Sequence, residues 1–249
     1  MSKLAIIGGS GLTSLSGLEI SGQQEQQTPW GEPSGPLIFG EYAGIEIVFL
    51  PRHGNPHVIP PHKVNYCANI WALKENNVTN IVSVNAVGGI TKEMSPGRLV
   101  VPDQIIDYTW SRGHTFFGDN LEEVVHVDFT SPYCEELRQH LIAAGNESNG
   151  IELCSAGTYG ATQGPRLESA AEIDRMERDG CDIVGMTGMP EAALARELGI
   201  NFVSCSLVVN WAAGKSSEPI TMKVIEDNLK KGIGDVRKLL ANVIPEIAT

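Results

Sequence analysis

Apolar residues along this chain gather into short runs separated by breaks rich in Gly and Pro. Residues 3–7 (KLAII), 45–50 (IEIVFL) and 79–84 (TNIVSV) are such runs. They predict strands, as do the shorter runs at 37–39, 99–101, 105–106, 151–153 and 157–159. Residues 181–184 and 200–209 (INFVSCSLVV) are apolar enough to predict buried strands. Between the strands the period changes to that of a helix. Residues 65–74 (NYCANIWALK) read as an amphipathic helix with Ile70 and Leu73 among its apolar positions. Residues 135–144, 169–178 and 221–241 predict further helices. Another starts at Pro190, where the missing N–H costs nothing and the neighbouring Glu191 carboxylate faces the positive helix end. Strands interleaved with helices in this way define an α/β chain.

Composition narrows what such a chain does. Its 249 residues hold no long linker or charge block, so one domain over 1–249 is expected, and 42% apolar residues support a sizeable core. The net charge of −12 argues against a nucleic-acid partner. A small anion is a different matter, since a local Arg or helix end holds one even in an acidic protein. The longest early apolar run, residues 4–7, is too short for a signal peptide or membrane span. Five Cys with no C-x-x-C spacing point to reduced thiols and a cytoplasmic protein.

Candidate chemistry gathers where strands end. After residues 3–7 come Gly8, Gly9, Ser10 and Gly11. A dinucleotide fingerprint would need Gly where Ser14 stands, and a nucleophile elbow would need Gly where Leu12 stands. What remains is either a plain tight turn or a loop of free N–H groups and one hydroxyl suited to a single phosphate. The strand at 45–50 ends in Pro51, Arg52, His53 and Gly54. A guanidinium fork beside an imidazole suits an oxyanion, the plainer alternative being a surface Arg and a capping His. His53, His57 and His62 invite a metal reading, but no Cys, Asp or Glu joins them and Pro60 and Pro61 forbid helical spacing, so no metal is expected. Residues 79–84 run into Asn85, Ala86, Val87 and a turn at Gly88 and Gly89. Residues 181–184 break at Gly185, Met186, Thr187 and Gly188, and 200–209 end at Asn210. Residues 112–120 form a polar loop with two aromatics, suited to a lid or a subunit contact. Ser10, Arg52, Asn85, Thr187 and Asn210 thus sit at five strand ends, and convergence of such ends builds one site in an open α/β sheet.

With those residues placed, nearly the whole chain resembles the trimeric purine nucleoside phosphorylase and methylthioadenosine phosphorylase family. The matching stretches are IIGGSGL, TPWGEPS, PRHG with HKVNYCANIWALK, VNAVGG, GPRLESAAE and VGMTGMPEAALA. The resemblance implies a twisted mixed sheet flanked by helices, a homotrimer with sites near subunit interfaces, and metal-free phosphorolysis of a purine N-glycosidic bond. Inorganic phosphate is then a co-substrate and no cofactor is needed. Ser10, Arg52, His53, Asn85, Ala86 and Thr187 fall on the family's phosphate-binding positions, and the Met186 N–H falls at the ribose hydroxyls. Leu167, Glu168, Val184 and Asn210 fall around the base, with Glu168 and Asn210 as the catalytic pair that grips the leaving purine. His126 falls where a neighbouring subunit reaches over the 5′ end of the nucleoside. In this chemistry the bond from C1′ to N9 breaks early, and phosphate beneath the sugar is both nucleophile and counter-charge. Hydrogen bonding and protonation around N7 stabilise the departing purine.

Two departures within the family narrow the substrate. Asn210 and Ala212 stand where the adenine-selective branch carries Asp. An Asn amide donates to a 6-oxo group and accepts from a protonated N7, while the Glu168 carboxylate accepts from N1–H of a 6-oxopurine but faces a bare acceptor in adenine. The ordinary branch meets the 5′-hydroxyl with a His near its last helix, whereas all six His here lie at or before residue 140. Ile220, Met222 and Ile225 offer instead an apolar lining for a methylthio group, unless Met222 packs into the core. The expected substrate is S-methyl-5′-thioinosine. Phosphorolysis of inosine and guanosine, or of methylthioadenosine, is the nearest alternative. A nucleoside hydrolase would need clustered Asp around calcium, and no D-x-D cluster occurs. A nucleoside-binding protein would leave the phosphate set without a purpose.

Overall fold

In the computed structural model, which describes residues 3–12, 14–118 and 123–247, eleven strands join in one mixed sheet. Its middle is parallel: β1 (Leu4–Gly8) lies between β4 (Ile45–Pro51) and β5 (Asn80–Gly89), and β11 (Asn201–Trp211) pairs with the other edge of β5. These strands are unbroken apolar runs because both their faces are covered. Alternation sends Ala5, Ile7, Val48 and Leu50 to one face, against α1 (Tyr66–Glu75) and α4 (Gly188–Glu197). Leu4, Ile6, Ile47 and Phe49 go to the other, against α2 (Glu135–Glu147) and α5 (Met222–Ile247). A third, smaller cluster seats Ile173 and Met176 of α3 (Ala170–Arg178) near Val184 and Ala212. Ser169 opens that helix with a reciprocal capping box to Glu172. The result is the single-domain mixed sheet flanked by helices that the resemblance implies.

β2 (Glu19–Gln24) and β3 (Leu37–Tyr42) continue the sheet beyond β4 in antiparallel pairing. β7 (Gln104–Asp107), β9 (Thr158–Ala161) and β10 (Ile183–Gly185) continue it beyond β5, while β6 (Leu99–Val100) and β8 (Leu153–Cys154) extend from β11. The sheet therefore forks at β5. One edge of β5 follows β11 along its whole length. The opposite edge pairs with β1 at residues 80–83 and with β10 only at Gly88 and Gly89. Among the described residues, 84–87 have no strand beside them on that edge. This gap is the topological switch point at which an open α/β sheet offers a crevice.

Several elements differ from expectation. Gly88 and Gly89 are not a turn but the last residues of β5. The strand continues because both are bare of side chain: a Cβ on Gly89 would lie 1.8 Å from the Met94 carbonyl oxygen. α1 is not amphipathic, being buried on most sides from Tyr66 to Leu73. β2 was not expected; its sequence, EISGQQ, is a mostly exposed edge strand with no apolar face to betray it. β11 runs through Asn210 to Trp211, and α5 continues past 241 to Ile247. Residues 112–118 form a loop, as expected, but one tied to the body of the chain: Arg112 is buried and the Glu197 carboxylate binds the Thr115 hydroxyl and the Phe116 N–H, each at 2.7 Å. Residues 119 and 120 of that loop lie outside the described residues.

Candidate active site

The fork holds a cavity of about 290 Å³ lined by residues from every arm of the sheet. Ser10 follows β1, Arg52 and His53 follow β4, and Ala86 lies on β5 in the gap. Arg52 is the largest group there and is 1% exposed. Its Nε and Nη2 make a bidentate pair with Glu191 of α4, the Nη2 contact being 3.0 Å, and Nη2 also donates to Ser83 Oγ at 2.6 Å. Nη1 donates at 3.0 Å to the Val84 carbonyl, one of the backbone groups that the gap leaves without a strand partner. One N–H on Nη1 remains. Burial works against the Arg52 charge, and the Glu191 carboxylate more than reverses this, holding the guanidinium above its ordinary pKa. Gly9 has no side chain because none fits: a Cβ would stand 2.6 Å from both Nη1 and the Val84 oxygen. Strand alternation turns the Ala86 N–H to the same edge as Val84.

His53 Nδ1 lies 2.7 Å from the Ile59 carbonyl, which only accepts, so Nδ1 carries the proton and Nε2 is the free lone pair. Burial, with Arg52 beside it, pulls the imidazole pKa down to about 4, so the ring is neutral near pH 7. The His57 ring stacks on it at 4.4 Å and also lines the cavity, whereas His62 does not. Among the described residues no group of three or more His, Cys, Asp or Glu is placed to hold a metal ion.

Thr187, where β10 passes into α4, lines the cavity and donates its hydroxyl to Asn85 Oδ1 at 2.7 Å. Asn85 itself lies behind the wall, with Nδ2 donating to the Ser83 carbonyl at 3.1 Å and Ser204 Oγ at 2.9 Å. Those bonds fix which end of the amide is nitrogen, and hence that the Thr187 hydroxyl must donate. Ser83 and Asn85 of β5 stand in register with Ser204 and Ser206 of β11, forming a buried polar stripe on the sheet face that α4 covers. Sequence reasoning found Asn85, overlooked the three serines, and read Glu191 only as a helix-start carboxylate. The signal was there: S-x-N and S-x-S at alternate positions of otherwise apolar strands, on one face.

The remaining wall is less buried. Glu168 follows β9 and accepts a 2.6 Å bond from the Thr162 hydroxyl at Oε1, leaving Oε2 open. Asn210 Nδ2 donates to the Trp211 carbonyl at 2.7 Å, so its Oδ1 and second N–H are uncommitted. Leu167, Val184, Met186 and Ala212 line the same cavity, as do Ile220, Met222 and Ile225 at the start of α5. Met222 is 66% exposed and is not a core residue. His126 is exposed and does not line this cavity.

One cavity thus joins a buried Arg, His and Thr set to a polar-and-apolar wall, an arrangement that suits a small anion beside an organic substrate. The model of the phosphorylase superfamily matches residues 3–245. A probable S-methyl-5′-thioinosine phosphorylase from Pseudomonas syringae pv. tomato is 56% identical over 98% of this chain and 99% of its own length. A 6-oxopurine nucleoside phosphorylase from Pyrococcus furiosus is 44% identical over 99% of this chain and 94% of its own. The methylthioadenosine phosphorylase of Schistosoma mansoni, solved with adenine, superposes with a TM-score of 0.94 at 34% identity, covering 99% of this chain and 92% of that one. The chain belongs to the phosphorylase superfamily and is a pentosyltransferase of the purine nucleoside phosphorylase type.

Proposed function

We propose that this chain catalyses phosphorolysis of S-methyl-5′-thioinosine, yielding hypoxanthine and 5-methylthioribose 1-phosphate. The observation that carries the reading is a single cavity shared by Ser10, Arg52, His53 and Thr187 on one hand, and by Glu168, Asn210 and Met222 on the other. Phosphate takes donors from the last Arg52 N–H, the Ala86 N–H and Ser10. His53 Nε2 and the Thr187 oxygen are acceptors in this arrangement, which suits an anion that still carries a P–OH. Asn85 acts through Thr187 rather than on the anion. Phosphate held beneath C1′ bonds to that carbon as the C1′–N9 bond breaks, and the electron pair leaves with the purine. Position and electrostatics supply the acceleration, with no covalent enzyme intermediate.

Oε2 of Glu168 accepts from N1–H of the departing hypoxanthine. The Asn210 amide donates to O6 and, as N7 takes up a proton from solvent to neutralise the purine anion, accepts from N7–H, stabilising the leaving group. Adenine would present an acceptor to the Glu168 carboxylate, leaving a charge without its bond at a cost of about 1–3 kcal/mol. Met186 offers its N–H to the ribose hydroxyls, and Ile220, Met222 and Ile225 suit the apolar methylthio group. The enzyme needs no cofactor. It works in the cytoplasm as a homotrimer in which His126 covers the 5′ end of a neighbour's substrate.

The test is kcat/KM on S-methyl-5′-thioinosine, inosine and methylthioadenosine, with and without phosphate. Phosphate-dependent hypoxanthine release, fastest from the first, is expected. Preference for methylthioadenosine would overturn the base assignment, preference for inosine the sugar assignment, and phosphate-independent release the reaction itself.

A further inference from the structure

Arg112 has no part in the chemistry above, yet it is 8% exposed and every partner of its guanidinium is an uncharged oxygen, one of them the carbonyl of the cavity-lining Met186. Nη1 donates to the Met186 and Met189 carbonyls at 2.8 and 2.7 Å. Nη2 donates to the Thr162 and Gln163 carbonyls at 3.1 and 2.8 Å, and Nε reaches Gln163 Oε1 at 3.2 Å. The fork therefore spans two separate stretches of chain. One, after β10, carries Met186. The other, after β9, leads to Leu167 and Glu168. The stretches touch at Gly164, whose Cβ, were there one, would lie 2.4 Å from Met186 Sδ.

The fork is itself anchored. Arg112 lies 5.2 Å from the centre of the Tyr66 ring and donates to the Tyr66 hydroxyl at 3.2 Å. Four residues on, the Phe116 ring packs edge-on against Trp30 at 4.8 Å, and its N–H is held by Glu197. The loop at 112–118 is thus bolted to α1 and α4, and Arg112 transmits that fixed position to the two stretches.

We propose that Arg112 is a positioning residue for the nucleoside, setting the ribose-facing segment at Met186 and the base-facing Glu168 in mutual register. This rests on the reading of the cavity as a nucleoside phosphorylase site. Arg52 is held independently, by Glu191 and Ser83, and Thr187, which lies between the Met186 and Met189 carbonyls that Arg112 binds, has a second anchor in Asn85. Loss of Arg112 therefore falls mainly on the nucleoside and less on phosphate, which keeps Arg52 and the Asn85-anchored Thr187. Lysine cannot replace it, because one ammonium point cannot serve carbonyls on both stretches as a planar fork does.

The experiment is steady-state kinetics of R112K, R112Q and Q163A on S-methyl-5′-thioinosine, with nucleoside and phosphate varied separately, and calorimetry of hypoxanthine binding. R112K should raise the nucleoside KM and hypoxanthine Kd about tenfold and R112Q more, with the phosphate KM within about twofold. Q163A, which removes one acceptor only, should shift the same two constants about threefold and covers the case in which R112Q does not fold. Unchanged nucleoside constants in R112K and Q163A, or equal rises for phosphate, would overturn the proposal. A wild-type enzyme inactive on all nucleosides would instead defeat the functional reading, and hypoxanthine binding would still decide the role of Arg112.

Discussion

The two halves of the cavity are built on opposite principles. The side we propose for the anion comes from strand ends and is closed off: Arg52 is 1% exposed, Glu191 is fully buried, and Ser83, Asn85, Ser204 and Ser206 bond one another beneath it. The side read as holding the nucleoside adds loops and a helix start to the buried ends of β10 and β11, with Leu167 42% and Met222 66% exposed. A buried polar network is stable only when every member is satisfied, so its parts resist separate change. Exposed loop residues have no such obligation, and substitution there alters selectivity at little cost in stability. A step shared by all substrates belongs on the first kind of wall, and choice among substrates on the second.

Breaking the buried side should have the largest effect. Glu191→Ala leaves the Arg52 charge buried without its counter-ion, and should lower unfolding stability by about 3–5 kcal/mol in urea titrations. In the milder Glu191→Gln, activity should drop about 100-fold with phosphate KM raised, because the guanidinium is no longer aimed. Next comes the base wall. Asn210→Asp should lower the preference for S-methyl-5′-thioinosine over methylthioadenosine about 100-fold, read as a ratio of kcat/KM, while the melting temperature moves little. Unchanged selectivity would remove Asn210 from the base site.

His53 comes next, with no loss expected at the neutral pH of those assays; its effect is confined to acid. Its pKa lies near 4 because burial and Arg52 disfavour the imidazolium. The unfolded chain therefore takes up this proton first as pH falls, and stability is lost between about pH 6.5 and 4, by at most about 1.4 kcal/mol per pH unit. Relative to His53→Gln, which has no such proton, the wild type should weaken through that window. Parallel stability curves would contradict the buried neutral ring. The smallest change is expected at the open rim, where Met222→Ala should reduce kcat/KM for the methylthio substrate about fivefold and leave inosine unaffected.

The same division governs what could be read in the sequence. Apolar runs announced β1, β4, β5 and β11, since strands covered on both faces leave an unbroken signature. Ser10, Arg52, Thr187 and Asn210 were legible because each follows such a run, and all four line the cavity. The edge strand β2 was illegible, having no buried face to mark it. Glu191 was read as a helix-start carboxylate, a purely local reason. Its main partner, Arg52, is 139 residues away, and nothing local distinguishes a capping acid from a buried counter-ion. Arg112 was lost in a polar loop for the same reason, since five of the six oxygens it binds lie 50 to 77 residues further along the chain.

The most direct test of the two-sided cavity is a crystal structure of the protein with hypoxanthine and phosphate bound. The anion should lie between Arg52, His53 and Thr187, and the purine should place N1 on Glu168 and O6 and N7 on the Asn210 amide. A purine bound away from Glu168 and Asn210, or an anion outside the gap beside Ala86, would contradict it.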